Sequence, residues 1–277
     1  PLTASYRTSG VSWRAEYTLA LDEGATRGRL SPWASVVNTT ATRYPDAALT
    51  LVAGELNRAE PSPVPLPAMV EGARGGATDA FQQAPLSIFH RYTLDRPVTI
   101  GRDETRQLPL IPAADVAVDR ELRFEATRFF TPTETGQPEP VEARLSFVNS
   151  LGAPLPEGRV QILEGGTLVG EDRVSGTPVG ETVRLRQGRV FDVVGTRVQT
   201  AIDQKSERQR AESYTVTLRN RSRSAVTVAV VEHHYGDWSV TTASQRYTRP
   251  DASTLRFEVA VPAGGEATVT YTVQISS

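Results

Sequence analysis

The sequence predicts an all-β protein of two or more antiparallel β-sandwich modules, immunoglobulin-like in build, with little helix. Three observations predict this class. Apolar and polar residues alternate along many segments, as in strands with one buried and one wet face, and no segment shows a convincing helical face. The 21 Gly and 19 Pro residues are frequent, and strand-forming residues are spread along the chain. A strand-like run followed by Asn and a polar turn occurs three times, at Asn38, Asn149 and Asn220.

The three Asn residues each stand between two strand-like runs, and the runs that follow cover residues 48–52, 159–163 and 226–231. An Asn side chain bonds its own backbone two residues on and tolerates the left-handed region, so Asn suits such a junction. The repeat therefore predicts β-hairpin units, and it indicates little about chemistry.

Period-two alternation predicts the individual strands, and the clearest stretches cover residues 13–21, 122–126, 254–261 and 268–275. Trp13 and Tyr17 are four positions apart on one apolar face. We expect both side chains to point into an N-terminal core.

Two modules are expected, an N-terminal β module over 1–112 and a C-terminal β-sandwich region over 113–277. Alternating prolines and then glycines at about 56–85 predict a flexible insertion; a Pro-rich ligand segment is the alternative. The charged stretch 203–213 is interpreted as a solvated hairpin loop or a short exposed turn of helix, and it is a possible point of division of the second module.

Composition argues against several functions. The net charge of −2 gives no basic field, so no nucleic-acid partner is expected. The absence of Cys excludes disulfides and thiolate chemistry. Lys205 is the only lysine, which excludes a P-loop lysine, and Ile202 stands where an S-x-x-K nucleophile would be. No apolar run is long enough to predict a transmembrane segment.

One cluster carries ligand or acid–base chemistry, at residues 231–237. On a strand, Glu232 and His234 share a face, and Asp237 or the distant His90 would complete a metal site. Such a site needs three or four convergent ligands, and the chain has only 3 His. We therefore predict no metal, cofactor or catalytic residue, and interpret the cluster as a strand end with half-exposed imidazoles; Glu232, His234 and Asp237 are the candidate ligands if a metal does bind.

The opening of the chain carries a Tyr strand, a Gly turn and a Trp-x-x-x-Tyr strand, at Tyr6, Gly10 and Trp13 with Tyr17. A strand ending in Asn38, an Asp-Ala-x-Leu-x-Leu strand at 46–51, a low-complexity insertion and an Asn hairpin at 214–232 follow. In these features, which are collinear over most of the chain, the sequence resembles the C-terminal β-rich domain of unknown function in mucoidy inhibitor A-like proteins. The resemblance implies a β-rich bacterial domain, with an exported or cell-envelope location favoured over a cytoplasmic one. It transfers no catalytic residue.

Two functions remain open. The first is a non-catalytic interaction or scaffold domain of a bacterial protein, envelope- or stress-related, that binds a protein or peptide at its sheet edges. The second is a hydrolase or carbohydrate-active enzyme with an unrecognised site. A cleft with converging carboxylates and His would favour the enzyme; exposed sheet edges would favour the interaction domain. The sequence starts at Pro1, so we expect an upstream segment to be missing.

Residues 266–275 form the cleanest strand and contain no Pro, Lys or Arg. This composition suits a central strand or an edge strand used for pairing. If the strand is an edge, we expect self-association or capture of an extended peptide by strand addition.

Overall fold

The computed structural model describes residues 4–6, 8–54, 81–86, 89–126 and 136–276, with the backbone alone for 81–86 and 89. This part of the chain contains no helix, which confirms the all-β prediction. The strands are β1 Val11–Leu21, β2 Arg27–Asn38, β3 Tyr44–Ala47, β4 Thr50–Ala53, β5 Phe81–Leu86, β6 Phe89–Leu94, β7 Val98–Ile100, β8 Glu104–Pro109, β9 Ala114–Ala117, β10 Asp119–Glu125, β11 Glu139–Val148, β12 Gly158–Glu164, β13 Thr167–Val174, β14 Thr182–Ser206, β15 Gln209–Asn220, β16 Val226–His233, β17 Asp237–Ala243, β18 Thr254–Val261 and β19 Glu266–Ser276.

The chain forms two compact units, and each is discontinuous. Unit 1 consists of Pro1–Asp119 and Ser146–Leu185, and unit 2 of Arg120–Leu145 and Arg186–Ser277. Most strand pairs are antiparallel, but β1 pairs β12 and β10 pairs β16 in parallel, so segments far apart in sequence join one sheet. The sequence predicted two continuous modules, 1–112 and 113–277. Alternation within a strand carries no information about which distant strands pair, so it does not predict units built from separate stretches of chain.

Unit 1 is built on a sheet with strand order β13-β12-β1-β2-β8, in which β9 also pairs β2. Tyr17 is buried, as predicted, and its hydroxyl donates to the Pro156 carbonyl at 2.6 Å. Trp13 is only half-buried, and its indole N–H donates to the Val52 carbonyl at 3.2 Å. Gly158 permits the close approach of β12 to β1, because a Cβ there would lie 2.2 Å from the Ala15 oxygen.

Two small sheets complete unit 1, one of β3 with β7 and one in the order β4-β6-β5. Strand β5 starts at Phe81, within the segment 56–85 that was predicted to be flexible. Residues 55–80 lie outside the described residues, and the prediction for them stays a prediction.

Unit 2 is built on a sheet with strand order β17-β19-β15-β14-β11-β10-β16-β18. The two ends of this sheet face each other, since the rings of Phe257 in β18 and Tyr271 in β19 lie 5.5 Å apart. Inward side chains from both halves form one buried core, which includes Phe124, Leu218 and Val269.

The C-terminal strand β19 is central. It pairs with β15 on one side and with β17 on the other. The backbone groups of 266–275 are therefore used within the sheet, and strand addition at this strand is excluded. Its lack of Pro, Lys and Arg and its β-branched residues reflect a central position.

The charged stretch 203–213 is a β-hairpin, because β14 continues to Ser206 and β15 begins at Gln209. Ile202 pairs with Glu212 across this hairpin, so the stretch belongs to one sheet and contains no turn of helix.

Each of the three repeated Asn residues forms a buried corner with the same pattern of hydrogen bonds. Asn38, Asn149 and Asn220 are at most 1% exposed, and the Oδ1 of each accepts the backbone N–H two residues on, as predicted. The Nδ2 of each donates to the carbonyl four residues on and to a carbonyl of a distant segment. None of the three has a positive φ, so their tolerance of the left-handed region is not used.

Candidate functional site

The inward face of unit 2 changes from apolar to polar at one end of the sheet. In β16, Val228 and Val230 are followed on the same face by Glu232, and His234 lies just past the strand end. Strand β15 reaches Glu212 on the face that holds the buried Leu218. The polar cluster at this end consists of Arg197, Gln199, Arg210, Glu212, Tyr214, Glu232, His234 and Tyr271.

Glu232 is the centre of the polar cluster and is 3% exposed. Its Oε2 accepts from Arg197 Nε at 2.6 Å and from the Tyr271 hydroxyl at 2.7 Å. Burial by itself lowers the pKa of Arg197, but the Glu232 carboxylate outweighs burial and raises it. Burial and the Glu232 charge both raise the pKa of Tyr271, which therefore stays a neutral donor.

Glu212 is a second buried carboxylate in the cluster. It accepts from the Tyr214 hydroxyl and pairs with Arg210. Burial favours a higher pKa for Glu212, but these hydrogen bonds outweigh it and hold the pKa below 4.5. The guanidinium carbon of Arg197 lies 4.1 Å from the centre of the Tyr214 ring, which links the two carboxylates through one cation–π contact.

His234 is packed among aromatic rings, with centroid distances of 5.8 Å to Tyr214, 5.1 Å to Trp238 and 5.8 Å to Tyr271. It is 4% exposed, so the expectation of a half-exposed imidazole is wrong here, because the side chain follows the inward face of β16. Burial and then the charge of Arg197 lower its pKa to about 4. The ring is therefore neutral at neutral pH.

The structure places Glu232 and His234 together, as their spacing predicts, but not Asp237. Asp237 is exposed at the start of β17. His233 takes the opposite face, and its Nε2 lies 2.8 Å from Glu125 Oε1. In the ranges that the structure describes, no group of three or more His, Asp or Glu side chains is arranged to hold a metal ion.

Sequence reasoning missed Arg197, Glu212, Tyr214 and Tyr271 as members of the cluster. One signal was present, because Glu212 interrupts an alternating inward face that otherwise holds Tyr214, Val216 and Leu218. A charged residue at such a position needs a buried partner. Its partners Arg210 and Tyr214 lie two positions away on the same strand. The partners of Glu232, Arg197 in β14 and Tyr271 in β19, come from other strands, so alternation did not reveal them.

The end strands of the two large sheets differ in how they are protected from pairing. Strand β13 has an irregular register and places Asp172 on the face of the buried Val160. Strand β8 ends at Pro109 and places Arg106 on the face of the buried Val36. Strand β9 has only 4 residues. Short length, Pro, inward charges and bulges are the usual devices that prevent edge pairing.

Strand β18 is covered, because Thr248 exchanges two backbone hydrogen bonds of 2.9 Å with Arg256. The other end of the same sheet, β17, contains no Pro, Lys or Arg. Within the described ranges, no strand or backbone hydrogen bond joins the side of β17 opposite β19. Its protective features are the charged Asp237 at its first position and a register shift between Val240 and Thr242.

The outward face beside β17 carries hydroxyl groups in place of charges. Strand β19 presents Thr268, Thr270 and Thr272 on this face, and these pair with Thr217, Thr215 and Ser213 of β15. The outward Ser239 of β17 pairs with Gln274 and continues the face to the edge of the sheet.

These observations define an all-β domain with a polar cluster enclosed in one sheet and one unprotected edge strand. The chain belongs to a family described as a domain of unknown function (DUF4139), whose model matches residues 2–277. No match was found among curated proteins. No helix in the described ranges is long and apolar enough to cross a membrane.

Proposed function

We propose that this domain is a non-catalytic interaction module that binds an extended polypeptide at the free side of β17. The observation that carries the proposal is the unprotected edge. A strand at a sheet edge offers backbone N–H and C=O groups to an added strand. The two outward neighbours on that face, Ser239 and Thr241, are uncharged and exposed, so they would not repel an incoming chain.

The polar cluster supports a structural role for the residues that an enzyme would use. Each carboxylate is engaged by an Arg and a Tyr, Glu232 by Arg197 and Tyr271 and Glu212 by Arg210 with Tyr214. A catalytic acid or base must reach a substrate atom within hydrogen-bond distance. Both bonds of Glu232 go to Oε2, and its Oε1 is buried without a hydrogen-bond partner, so burial keeps this oxygen from a substrate. The carboxylates therefore serve to hold the sheet together.

We also infer that the chain is the C-terminal domain of a mucoidy inhibitor A-like protein, from the N-terminal motif around Trp13 and Tyr17. On this inference the domain acts in a bacterial envelope or stress-related protein. Fractionation of cells that express the full-length gene product tests the location, and a purely cytoplasmic product would contradict it.

The binding proposal is tested by selecting displayed random peptides on the purified domain. We expect extended peptides whose binding is lost in Val240→Lys, because an inward charge in an edge strand opposes added strands. The matched control is Thr270→Lys, which places the same charge on the exposed face of the central strand β19 and should bind normally.

Hydrogen exchange of the unmodified domain gives a second measurement that needs no variant. Bound peptide should slow exchange of amides in β17 and leave those of β13 unchanged. Selected peptides that bind without protecting β17, or a selection that yields no peptide, would refute the proposal.

A further inference from the structure

We infer that the free side of β17 pairs with β17 of a second copy of this chain, which forms a two-fold symmetric dimer with one continuous sheet. This inference rests on the proposed function and names the partner. Four observations support it: the composition of β17, its self-complementarity, the uncharged face beside it and the protection of the other end strands.

A second copy presents the same charges as the first, so a surface that self-associates must not oppose like charges. An antiparallel pair centred on Ser239 places Ser239 opposite its own copy, Trp238 opposite Val240 and Asp237 opposite Thr241. No two charges of the same sign meet in this arrangement.

The side chains of β17 also match across such a pair. Trp238 is buried and Val240 is half-buried on the inward face, and both are apolar. Ser239 lies outward, in the row that includes Gln274 of β19. The two-fold pairing therefore joins apolar side chains to apolar ones below the sheet, and above it joins Ser239 to Ser239 and the Asp237 carboxylate to the Thr241 hydroxyl.

The uncharged face extends over the two strands behind the edge, β19 and β15. Outward positions of β19 and β15 hold Thr and Ser from Ser213 to Thr217 and from Thr268 to Thr272. In a chain that is 22% charged, this face has no like-charge repulsion toward its own copy. Because β13, β8 and β18 are protected, β17 is the end strand of the two large sheets at which pairing meets the least opposition.

The length of β17 that can pair sets the expected strength of the dimer. Strand β17 has 7 residues, and its register shift restricts regular pairing to Asp237–Val240 and the residues next to it. A contact of this size corresponds to a small interface, so we expect a weak, reversible dimer that dissociates on dilution.

Charge reversal at Ser239 tests the inference, because this residue is exposed and its substitution should not disturb the fold. Sedimentation velocity over a dilution series should show a monomer–dimer equilibrium for the unmodified domain. Ser239→Lys and Ser239→Asp should each weaken association at least about fivefold, since like charges then face each other across the axis.

An equimolar mixture of Ser239→Lys and Ser239→Asp should associate again, because opposite charges then meet. The control Thr227→Lys, which places the same charge at an exposed position of the central strand β16, should associate as the unmodified domain does. Association that persists in both single variants, or a mixture no stronger than either variant by itself, would overturn the pairing at β17.

The same experiments separate this inference from the proposed function. A domain that stays monomeric at its highest soluble concentration, yet protects β17 when a selected peptide binds, would refute the second copy and retain peptide binding. A dimer that is sensitive to Ser239 substitutions, with no peptide selected, would support the second copy and refute capture of other chains.

Discussion

The two ends of the unit 2 interior are both buried, but different forces hold them. At the apolar end, the Phe124 ring fills the space beside Gly195, where a Cβ would lie 2.3 Å from ring carbons. At the polar end, the Glu232 carboxylate is bonded to Arg197 and Tyr271. The apolar end depends on shape, whereas the polar end depends on charges that must stay paired.

Burial by itself does not set the cost of a substitution. An apolar core loses contacts in proportion to the atoms removed, and it relaxes in part. A buried charge that loses its partner cannot relax, because neither water nor a new partner reaches it. We therefore expect the polar end to be the more sensitive to single substitutions and the only one sensitive to mild acid.

Removal of the central carboxylate should have the largest effect. Glu232→Ala leaves the Arg197 side chain, which is only 15% exposed, without its carboxylate partner and should lower the free energy of unfolding by about 3–5 kcal/mol in urea titrations. The double variant Arg197→Met with Glu232→Leu should recover most of this loss. A loss below about 1 kcal/mol for Glu232→Ala would mean that the ion pair contributes nothing to the fold.

Mild acid should weaken the polar end through His234. Its pKa is lowered from 6.5 to about 4 in the folded chain, so the unfolded chain binds the proton more readily. Stability from the neutral ring is complete above about pH 6.5 and is lost as the pH falls toward 4, by up to about 3 kcal/mol. Unfolding titrations across this range should show the loss.

The matched control for the acid effect is His234→Phe, which keeps a ring among Tyr214, Trp238 and Tyr271 and cannot be protonated. Its stability should vary much less between pH 6.5 and 4.5. The Glu212 carboxylate, whose pKa is held below 4.5, contributes to pH dependence only at lower pH. Equal pH dependence of the variant and the unmodified domain would assign the effect to another group.

The Asn corners are buried polar groups without charge, and they occur in both units. They therefore allow the comparison to be extended to unit 1. Asn220→Ala removes the donor to the Ser224 and Pro262 carbonyls and should cost about 2 kcal/mol in thermal or urea unfolding. Asn38→Ala removes equivalent bonds to Thr42 and Gly101 and should cost a similar amount. Very different losses would show that the two corners are not energetically equivalent.

The smallest effect is expected at the apolar end. Gly195→Ala places a methyl group against the Phe124 ring, and the overpacking should cost about 1–2 kcal/mol. Phe124→Leu in the same chain provides room, so the double variant should be more stable than the sum of the two single losses predicts. Simple additivity in urea unfolding would show that the ring moves aside without strain.

Much of the fold was predictable, because the strand period is local information. Alternation predicted the inward positions of β1, β18 and β19, and the Asn repeat predicted three turns with a hydrogen bond to the residue two positions on. Alternation also predicted that Glu232 and His234 share a face. It did not predict that this face is the interior, because charged residues are expected to face water.

The edge of the sheet was less predictable, since strand composition does not reveal strand order. Residues 266–275 and the strand β17 both lack Pro, Lys and Arg, yet the first is central and the second is at the end. Only the hydrogen-bond partners separate the two cases, and these partners come from distant parts of the chain.

The amino-acid sequence by itself determined the all-β class, the alternating faces of β1, β18 and β19 and the three Asn corners, because these follow from the two-residue period and from bonds within four residues. Only the tertiary structure decided the parallel pairs, the free side of β17 and the partnership of Arg197 with Glu232. Those depend on which distant strands come together, and the burial of a charge becomes tolerable only when an opposite charge from another strand reaches it.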